Sequence, residues 1–217
     1  MGKSRWILSM DEILNSMTHG FGVLISITGL VLLLIYGIAQ DDNIWKVLSF
    51  SIYGVSLIMM YTASTLYHAI SDRRIKQFLN VFDHASIYIL IAGTYTPFTL
   101  VSMRGPWGWS VFGVIWGLAI AGVIYKVFFY KDKHRQLSAL LYVLMGCIIA
   151  IAFRPLIVNV PAGGLNWLVA GGVFYIGGVF FYLRDRKNRF NHVIWHLFVL
   201  AGSISHFLAI FFHVLPH

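Results

Sequence analysis

Few side chains in this 217-residue chain could do chemistry, and several that could are histidines in apolar surroundings. The segment Asn191-His192-Val-Ile-Trp-His196 places two histidines four residues apart. On a helix this spacing turns both imidazoles to one face, about 40° apart, where they can chelate one metal ion. His68 ends the segment Ser64-Thr-Leu-Tyr-His68, in which serine and histidine share the same spacing. Three imidazoles are the usual complement of a catalytic zinc, with water in the fourth position. Asp83, in Phe82-Asp83-His84-Ala-Ser86, supplies a carboxylate able to hold or deprotonate that water. Each group also has an ordinary role when taken alone. His68 can be an interfacial hydrogen-bonding histidine, Asp83 a helix cap or arginine partner, and Ser64 a donor to the backbone one turn back.

The elements that must position these groups are membrane helices. Apolar types make up 59% of the chain and charged types 11%, with a mean hydropathy of +0.77. An ordinary globular domain carries about 25% charged residues. So little charge cannot cover a soluble surface, which excludes a cytosolic globular protein. Disorder needs the opposite balance. Seven stretches are long and apolar enough to span a bilayer: 17–39, 44–70, 82–103, 107–130, 137–157, 163–183 and 190–215. The separators are short and polar (QDDN, SDRRIKQ, RGP, KDKHRQ, NVPAG, RDRKNR), so residues 1–217 read as a single seven-helix domain. The fold class is all-α, a polytopic bundle. Residues 1–16 lack an apolar signal-peptide core. The seven spans show no pair of similar halves, which gives no support to an inverted-repeat transporter design.

The formal charge of +8 follows membrane topology, and no aromatic–basic nucleic-acid motif accompanies it. One side collects thirteen lysines and arginines: Lys3, Arg5, Arg73, Arg74, Lys76, Lys126, Lys131, Lys133, Arg135, Arg184, Arg186, Lys187 and Arg189. The other side has three, namely Lys46, Arg104 and Arg154. The N-terminus is therefore expected in the cytosol and the C-terminus outside.

Depth links the chemical groups to this frame. His68 lies five residues before Arg73, roughly 7 Å inside the basic boundary at the rise of a helix. Asp83 lies seven after Lys76, roughly 10 Å inside. His192 and His196 follow Arg189 by three and seven, roughly 5 and 10 Å. Four groups from three helices thus share one level of the cytosolic leaflet. Ionisable groups at membrane depth are costly and tend to be functional.

The other polar residues have plainer readings. His84 points about 100° away from Asp83 and reads as a supporting or structural group. His19, with Glu12 seven residues earlier, could lie at the same level. His134 and His217 read as solvated, and Arg154 as reaching for headgroups. Ser203, His206 and His213 continue the face of His192 along the last span. That stripe is either interhelical hydrogen bonding or a wet lining above the metal. Gly113 and Gly117 form a GxxxG, and Gly164, Gly171 and Gly178 recur every seven residues; both patterns suit close helix packing. Pro97 is expected to kink the third span. The single cysteine, Cys147, excludes an intrachain disulfide and reads as a buried filler.

Taken together, Ser-x-x-x-His closing span two, Phe-Asp-His opening span three, and His-x-x-x-His with a later His-Phe in span seven resemble the haemolysin III family. That family is the bacterial branch of the progestin and adipoQ receptor group, which includes the adiponectin receptors. The stretches Asp11-Glu-Ile-Leu-Asn-Ser-Met-Thr-His19-Gly, Ala92-Gly-Thr-Tyr-Thr-Pro97-Phe and Trp195-His-Leu-Phe-Val-Leu-Ala-Gly-Ser203 are also similar, so the resemblance covers essentially the whole chain. It implies seven helices, N-terminus inside, with one zinc (Zn2+) in the inner leaflet. His68, His192 and His196 match the zinc-ligand positions, Asp83 the carboxylate that holds the zinc's water, and Ser64 the nearby serine. The long cytosolic extension of the adiponectin receptors is missing, so their signalling partners do not carry over. The wider superfamily includes alkaline ceramidases, which cleave a lipid amide.

Three functions compete on these grounds. One is a zinc-dependent hydrolase of a fatty-acyl membrane lipid in the plasma membrane, with Asp83 as base and Ser64 orienting water or steadying an oxyanion. The second is a non-catalytic sensor of lipid state with a structural zinc. The third is a channel or cytolysin, which should show polar stripes on several helices, whereas only the last span has a long one. The orientation is directly testable. A C-terminal reporter active only in the cytoplasm is expected to stay silent, and strong signal there would overturn the charge-based topology.

Overall fold

The computed structural model describes residues 8–40, 43–129 and 135–216. Lys3, Arg5, Lys131, Lys133, His134 and His217 lie outside the described residues. Seven helices are long and apolar enough to cross a membrane. They are α1 (Met10–Ile38), α2 (Asn43–Ala69), α3 (Arg73–Pro97, continued by a π turn over Phe98–Ser102) and α4 (Pro106–Ile124, continued by a π turn over Tyr125–Phe129). Then follow α5 (Arg135–Asn159), α6 (Ala162–Tyr182) and α7 (Phe190–His213).

Two helices start earlier than their apolar runs. α1 begins at Met10, with Asp11 and Glu12 in its first turn, where carboxylates favour the positive end of the helix dipole. α3 begins at Arg73, nine residues before its apolar stretch. Asp72 caps it by accepting the backbone N–H of Arg74 and of Ile75, both at 3.0 Å. The segment SDRRIKQ is therefore largely helix, not a separator. Its exposed, charged turns are invisible to hydropathy. They matter for the site because they bring Lys76 onto a rigid element.

Helix α1 packs on α2 and α7, α2 on α3, α3 on α4 and α5, and α6 on α7. In the most apolar window of α3, 67% of residues are buried, against 17% for α5 and for α6, so α3 is central and those two are peripheral. One buried cluster (Leu33, Phe50, Tyr53, Leu57, Ile210) joins α1, α2 and α7, and a second (Tyr88, Ile115, Ala119, Met145) joins α3, α4 and α5.

Proline breaks two helices, and other groups repair the backbone. The departure from α geometry in α3 falls directly after Pro97. In α5 the helix passes through a 3-10 segment at Ile148–Ala152 just ahead of Pro155, whose ring excludes a regular bond one turn back. The Tyr95 hydroxyl enters this break. It donates toward the carbonyls of Met145 (3.1 Å) and Gly146 (2.7 Å) and accepts the Ile149 N–H at 2.9 Å. Irregular backbone at membrane depth is tolerated where protein satisfies it in this way.

The glycine heptad in α6 does what its spacing predicts. Gly164, Gly171 and Gly178 are buried and meet His213, His206 and Phe198 with Trp195, all on α7. The GxxxG of α4 does not. Gly113 and Gly117 face outward, and an added Cβ on either meets nothing within 4 Å. Cys147 is likewise exposed on the lipid-facing side, not buried filler. Lys126, counted as a loop charge from the sequence, is buried in the final π turn of α4.

These contacts yield a paired expectation. A Cβ at Gly171 would stand 2.2 Å from the His206 ring. Gly171→Val is therefore expected to destabilise the purified protein by about 1–3 kcal/mol, the usual cost of overpacking. Gly113→Ala should leave the thermal midpoint unchanged or slightly raised, since alanine favours helix. Equal midpoints for Gly171→Val and wild type in a thermal melt would contradict the seam.

Candidate metal centre

The bundle gathers His68, His192 and His196 at its basic end. His68 sits in the last turn of α2, and the other two lie one turn apart at the start of α7. Their ligand atoms all lie within 4.8 Å of one another. Ring centroids are 5.1 Å apart for His68 and His192, 5.0 Å for His68 and His196, and 4.7 Å for the α7 pair. His68 and His196 are buried, and His192 is partly so.

The nitrogens divide cleanly. Each Nδ1 faces a protein group. His68 Nδ1 is 2.7 Å from Glu12 Oε2, and His192 Nδ1 is 2.9 Å from Asp185 Oδ2. His196 Nδ1 lies 3.5 Å from Thr18 Oγ1 and turns toward the Asn15 backbone. Each Nε2 is buried with no hydrogen-bond partner. A buried polar atom left without a partner costs about 1–3 kcal/mol. Three such atoms pointing to one place are what a metal ion would satisfy. Imidazole nitrogen is also a ligand suited to zinc, copper, iron or nickel. The residues present therefore fit a bound divalent metal.

Two carboxylates back the histidines, and each is itself held by a cation. Glu12 Oε1 accepts from Lys76 Nζ at 3.0 Å, and the same ammonium donates to the Tyr67 carbonyl at 3.0 Å. Asp185 Oδ2 lies 2.6 Å from the Arg135 guanidinium, which also donates to the Tyr182 carbonyl. Burial pushes the Asp185 carboxyl up, but hydrogen bonds with His192 and Arg135 outweigh it and hold the group below the usual aspartate range. Sequence reasoning set Glu12 beside His19 at this level without assigning it to His68, and passed over Asp185. Glu12 carried a signal: it falls on the α1 face of the buried Asn15 and His19, at spacings of three and seven. Asp185 carried none, since it stands in an arginine-rich connection.

Asp83 and Ser64 lie beside this group, not within it. Asp83 is 3% exposed on α3 and faces Ser64, His192 and Lys126. Its carboxylate is not among the atoms within 4.8 Å of one another. Ser64 is 1% exposed, and its hydroxyl faces the Asp83 carboxylate.

The other histidines are structural or stand behind the group. His84 Nδ1 donates to the Asn80 carbonyl (2.8 Å), and its Nε2 meets the Tyr182 hydroxyl at 3.2 Å, pinning α3 to α6. His19 stacks on His196, with centroids 3.6 Å apart and planes 13° from parallel. Both its nitrogens are buried without a hydrogen-bond partner, but they are not among the three ligand atoms that lie within 4.8 Å of one another. The stripe beyond the site is interhelical packing. Tyr61 donates to Ser203 Oγ at 2.8 Å, Tyr175 meets the same oxygen at 2.8 Å, and His206 lies against the Leu168 carbonyl at 3.3 Å.

Known proteins share this arrangement of sequence across the whole bundle. The profile of the Haemolysin-III related family matches residues 9–207. The chain is 44% identical to Hemolysin-3 of Bacillus cereus over 206 residues, covering 95% of this chain and 93% of that protein. It is 42% identical to the Hemolysin-3 homolog of Bacillus subtilis (strain 168), covering 94% of each. Human monocyte to macrophage differentiation factor is 31% identical over 204 residues, or 90% of this chain and 81% of that protein. With a family match over nearly its full length and seven membrane-spanning helices, the chain belongs to the Haemolysin-III related family of multi-pass membrane proteins.

Proposed function

We propose that this protein is a zinc-dependent hydrolase of a fatty-acyl lipid, acting within the plasma membrane. The observation that carries the reading is the set of three buried, unpartnered Nε2 atoms, with no fourth protein ligand in the group among the described residues. Structural zinc sites are usually closed by four protein ligands, whereas catalytic ones keep a position open. His68, His192 and His196 would hold the ion through Nε2. When bound, zinc supplies a Lewis acid that polarises an acyl carbonyl and acidifies water at neutral pH.

The chain's own residues supply the rest. Asp83, desolvated beside His192, takes the proton as water adds to the acyl carbon, and returns it to the leaving amine or alcohol as the carbon–heteroatom bond breaks. Ser64, beside Asp83, donates its hydroxyl to orient the attacking oxygen or steady the oxyanion. A groove of about 320 Å³ between α1, α2 and α7 suits an acyl chain. Phe21, Ile25, Leu33, Tyr53, Tyr61 and Phe207 are among its walls. Phe21 is exposed, so the groove opens toward lipid. Tyr61, another of its walls, meets His19 edge-on at 5.0 Å, and His19 stacks on His196. A channel or cytolysin finds less support. Along the polar stripe of α7, Ser203 is taken up by Tyr61 and Tyr175, and one nitrogen of His206 by the Leu168 carbonyl.

Two measurements test the reading. Purified protein is expected to carry about one zinc per chain, and His192→Ala/His196→Ala to lose it, since two of three imidazole ligands are gone. Equal zinc in both samples by elemental analysis would remove these residues as ligands. Asp83→Asn should keep its zinc yet lose turnover by about 10²–10⁴-fold, the usual contribution of a general base. The assay is fatty-acid release from a panel of ceramides and acyl lipids. No release from any lipid by zinc-loaded wild type would sink the hydrolase reading. Loss of zinc by Asp83→Asn would make Asp83 a ligand.

A further inference from the structure

The two carboxylates behind the histidines have no place in the proposed chemistry, yet each is fixed with care. Glu12 comes from α1 and reaches a histidine of α2, while a lysine of α3 holds its second oxygen. Asp185 comes from the α6–α7 connection and reaches a histidine of α7, while an arginine of α5 holds the same carboxylate. Glu12 and His68 are 56 residues apart; Asp185 and His192 are only seven apart, but the Arg135 that holds Asp185 comes from another helix. The cations Lys76 and Arg135 would have been satisfied by water at this end of the bundle. Instead they restrain carboxylates that face inward.

An imidazole has two nitrogens, and only the deprotonated one can bind a metal. A carboxylate accepting from Nδ1–H places the proton there and leaves the Nε2 lone pair free and aimed. It also fixes the plane of the ring and raises the basicity of the free nitrogen. In this structure the two carboxylate-backed rings are ones whose Nε2 atoms are buried and unpartnered. His196, third of the set, has only a neutral hydroxyl and the Asn15 backbone at its Nδ1. The division separates two charged supports from one neutral one.

We propose that Glu12 and Asp185 are positioning residues that set how tightly this chain holds its metal, by locking His68 and His192 with Nε2 turned to the shared point. The proposal rests on the metal-binding reading but not on catalysis. Supports of this kind typically change metal affinity by about 10–100-fold. Glu12→Gln and Asp185→Asn keep the shape of each side chain. They remove its charge and let the amide present a donor as readily as an acceptor.

The measurement is zinc affinity of the full-length, detergent-purified protein by chelator competition, with the thermal midpoint of the metal-free protein recorded beside it. Glu12→Gln and Asp185→Asn are each expected to weaken zinc by about 10–100-fold while the metal-free midpoint stays near wild type. Asp72→Asn is the control. It removes a like charge at the same end of the bundle, and asparagine caps α3 as well as aspartate does. It should bind zinc as wild type does. Wild-type affinity in both carboxylate variants overturns the proposal, as does an equal loss in Asp72→Asn, which would reveal a general charge effect. A fall in the metal-free midpoint with unchanged zinc affinity would make the pair structural and overturn it too. Should either variant fail to fold, Glu12→Asp and Asp185→Glu decide the matter. They keep the charge but move it by one methylene, and unchanged zinc affinity in them refutes positioning. Absence of zinc binding by wild type itself would instead bring down the metal reading.

Discussion

A buried imidazole nitrogen left without a partner is costly, so which nitrogen of each histidine the protein bonds decides which one is left for a ligand. That constraint organises the basic end of this molecule. Three Nδ1 atoms are turned outward to Glu12, Asp185 and the Thr18–Asn15 turn, and three Nε2 atoms are turned inward to each other. Inward-facing nitrogens without partners are unfavourable unless something accepts their lone pairs. The outward bonds cannot relax to relieve them, since lysine and arginine hold the two carboxylates from other helices. The outward bonds therefore fix which nitrogen of each ring faces the shared point.

Some polar groups elsewhere in the bundle are bonded wholly within the protein. His84 uses Nδ1 on the Asn80 carbonyl and Nε2 on the Tyr182 hydroxyl, which closes its account within the protein. Tyr95 repairs the interruption of α5 with one hydroxyl serving three backbone groups. Ser203 receives two tyrosines from opposite helices. Other buried polar atoms also lack a partner, Ser49 and Ser102 among them, but the Nε2 atoms of His68, His192 and His196 belong to three side chains whose ligand atoms lie within 4.8 Å of one another. His19 stacks on His196 but is not one of the three.

Much of this was legible in the sequence because depth and helical phase are both arithmetic. Counting residues from the nearest lysine or arginine put His68, His192 and His196 on one level, and the structure brings those three together. The glycine heptad of α6 was equally readable, since one face of a helix repeats about every seven residues. The sequence was silent where charge hides structure. Arg73, Arg74 and Lys76 look like a loop to hydropathy but form the first turns of α3, and Asp185 looks solvated but faces a histidine. It misled where a motif has two possible partners. Gly113 and Gly117 have the spacing of a packing seam, yet among the described residues nothing lies within 4 Å of a Cβ added at either. Spacing reports that a face is flat and leaves open which neighbour uses it.

The helix that contributes most to holding the three histidines supplies none of them. α1 places Glu12 on His68, Thr18 and the Asn15 backbone on His196, and the ring of His19 flat against His196. It can do so because its buried stripe is narrow and built of small groups where it meets its neighbours. An added Cβ at Gly22 would stand 2.5 Å from the Tyr61 ring, and one at Gly29 would stand 3.0 Å from Phe207. Those glycines let α1 settle between α2 and α7, the two helices that carry the histidines. Two of the three rings are already fixed relative to each other by the four-residue spacing on α7. The remaining freedom is the distance from α7 to His68 at the end of α2, and α1 touches both sides of that gap. Close packing along the length of α1 is therefore what turns two separate histidine motifs into one centre.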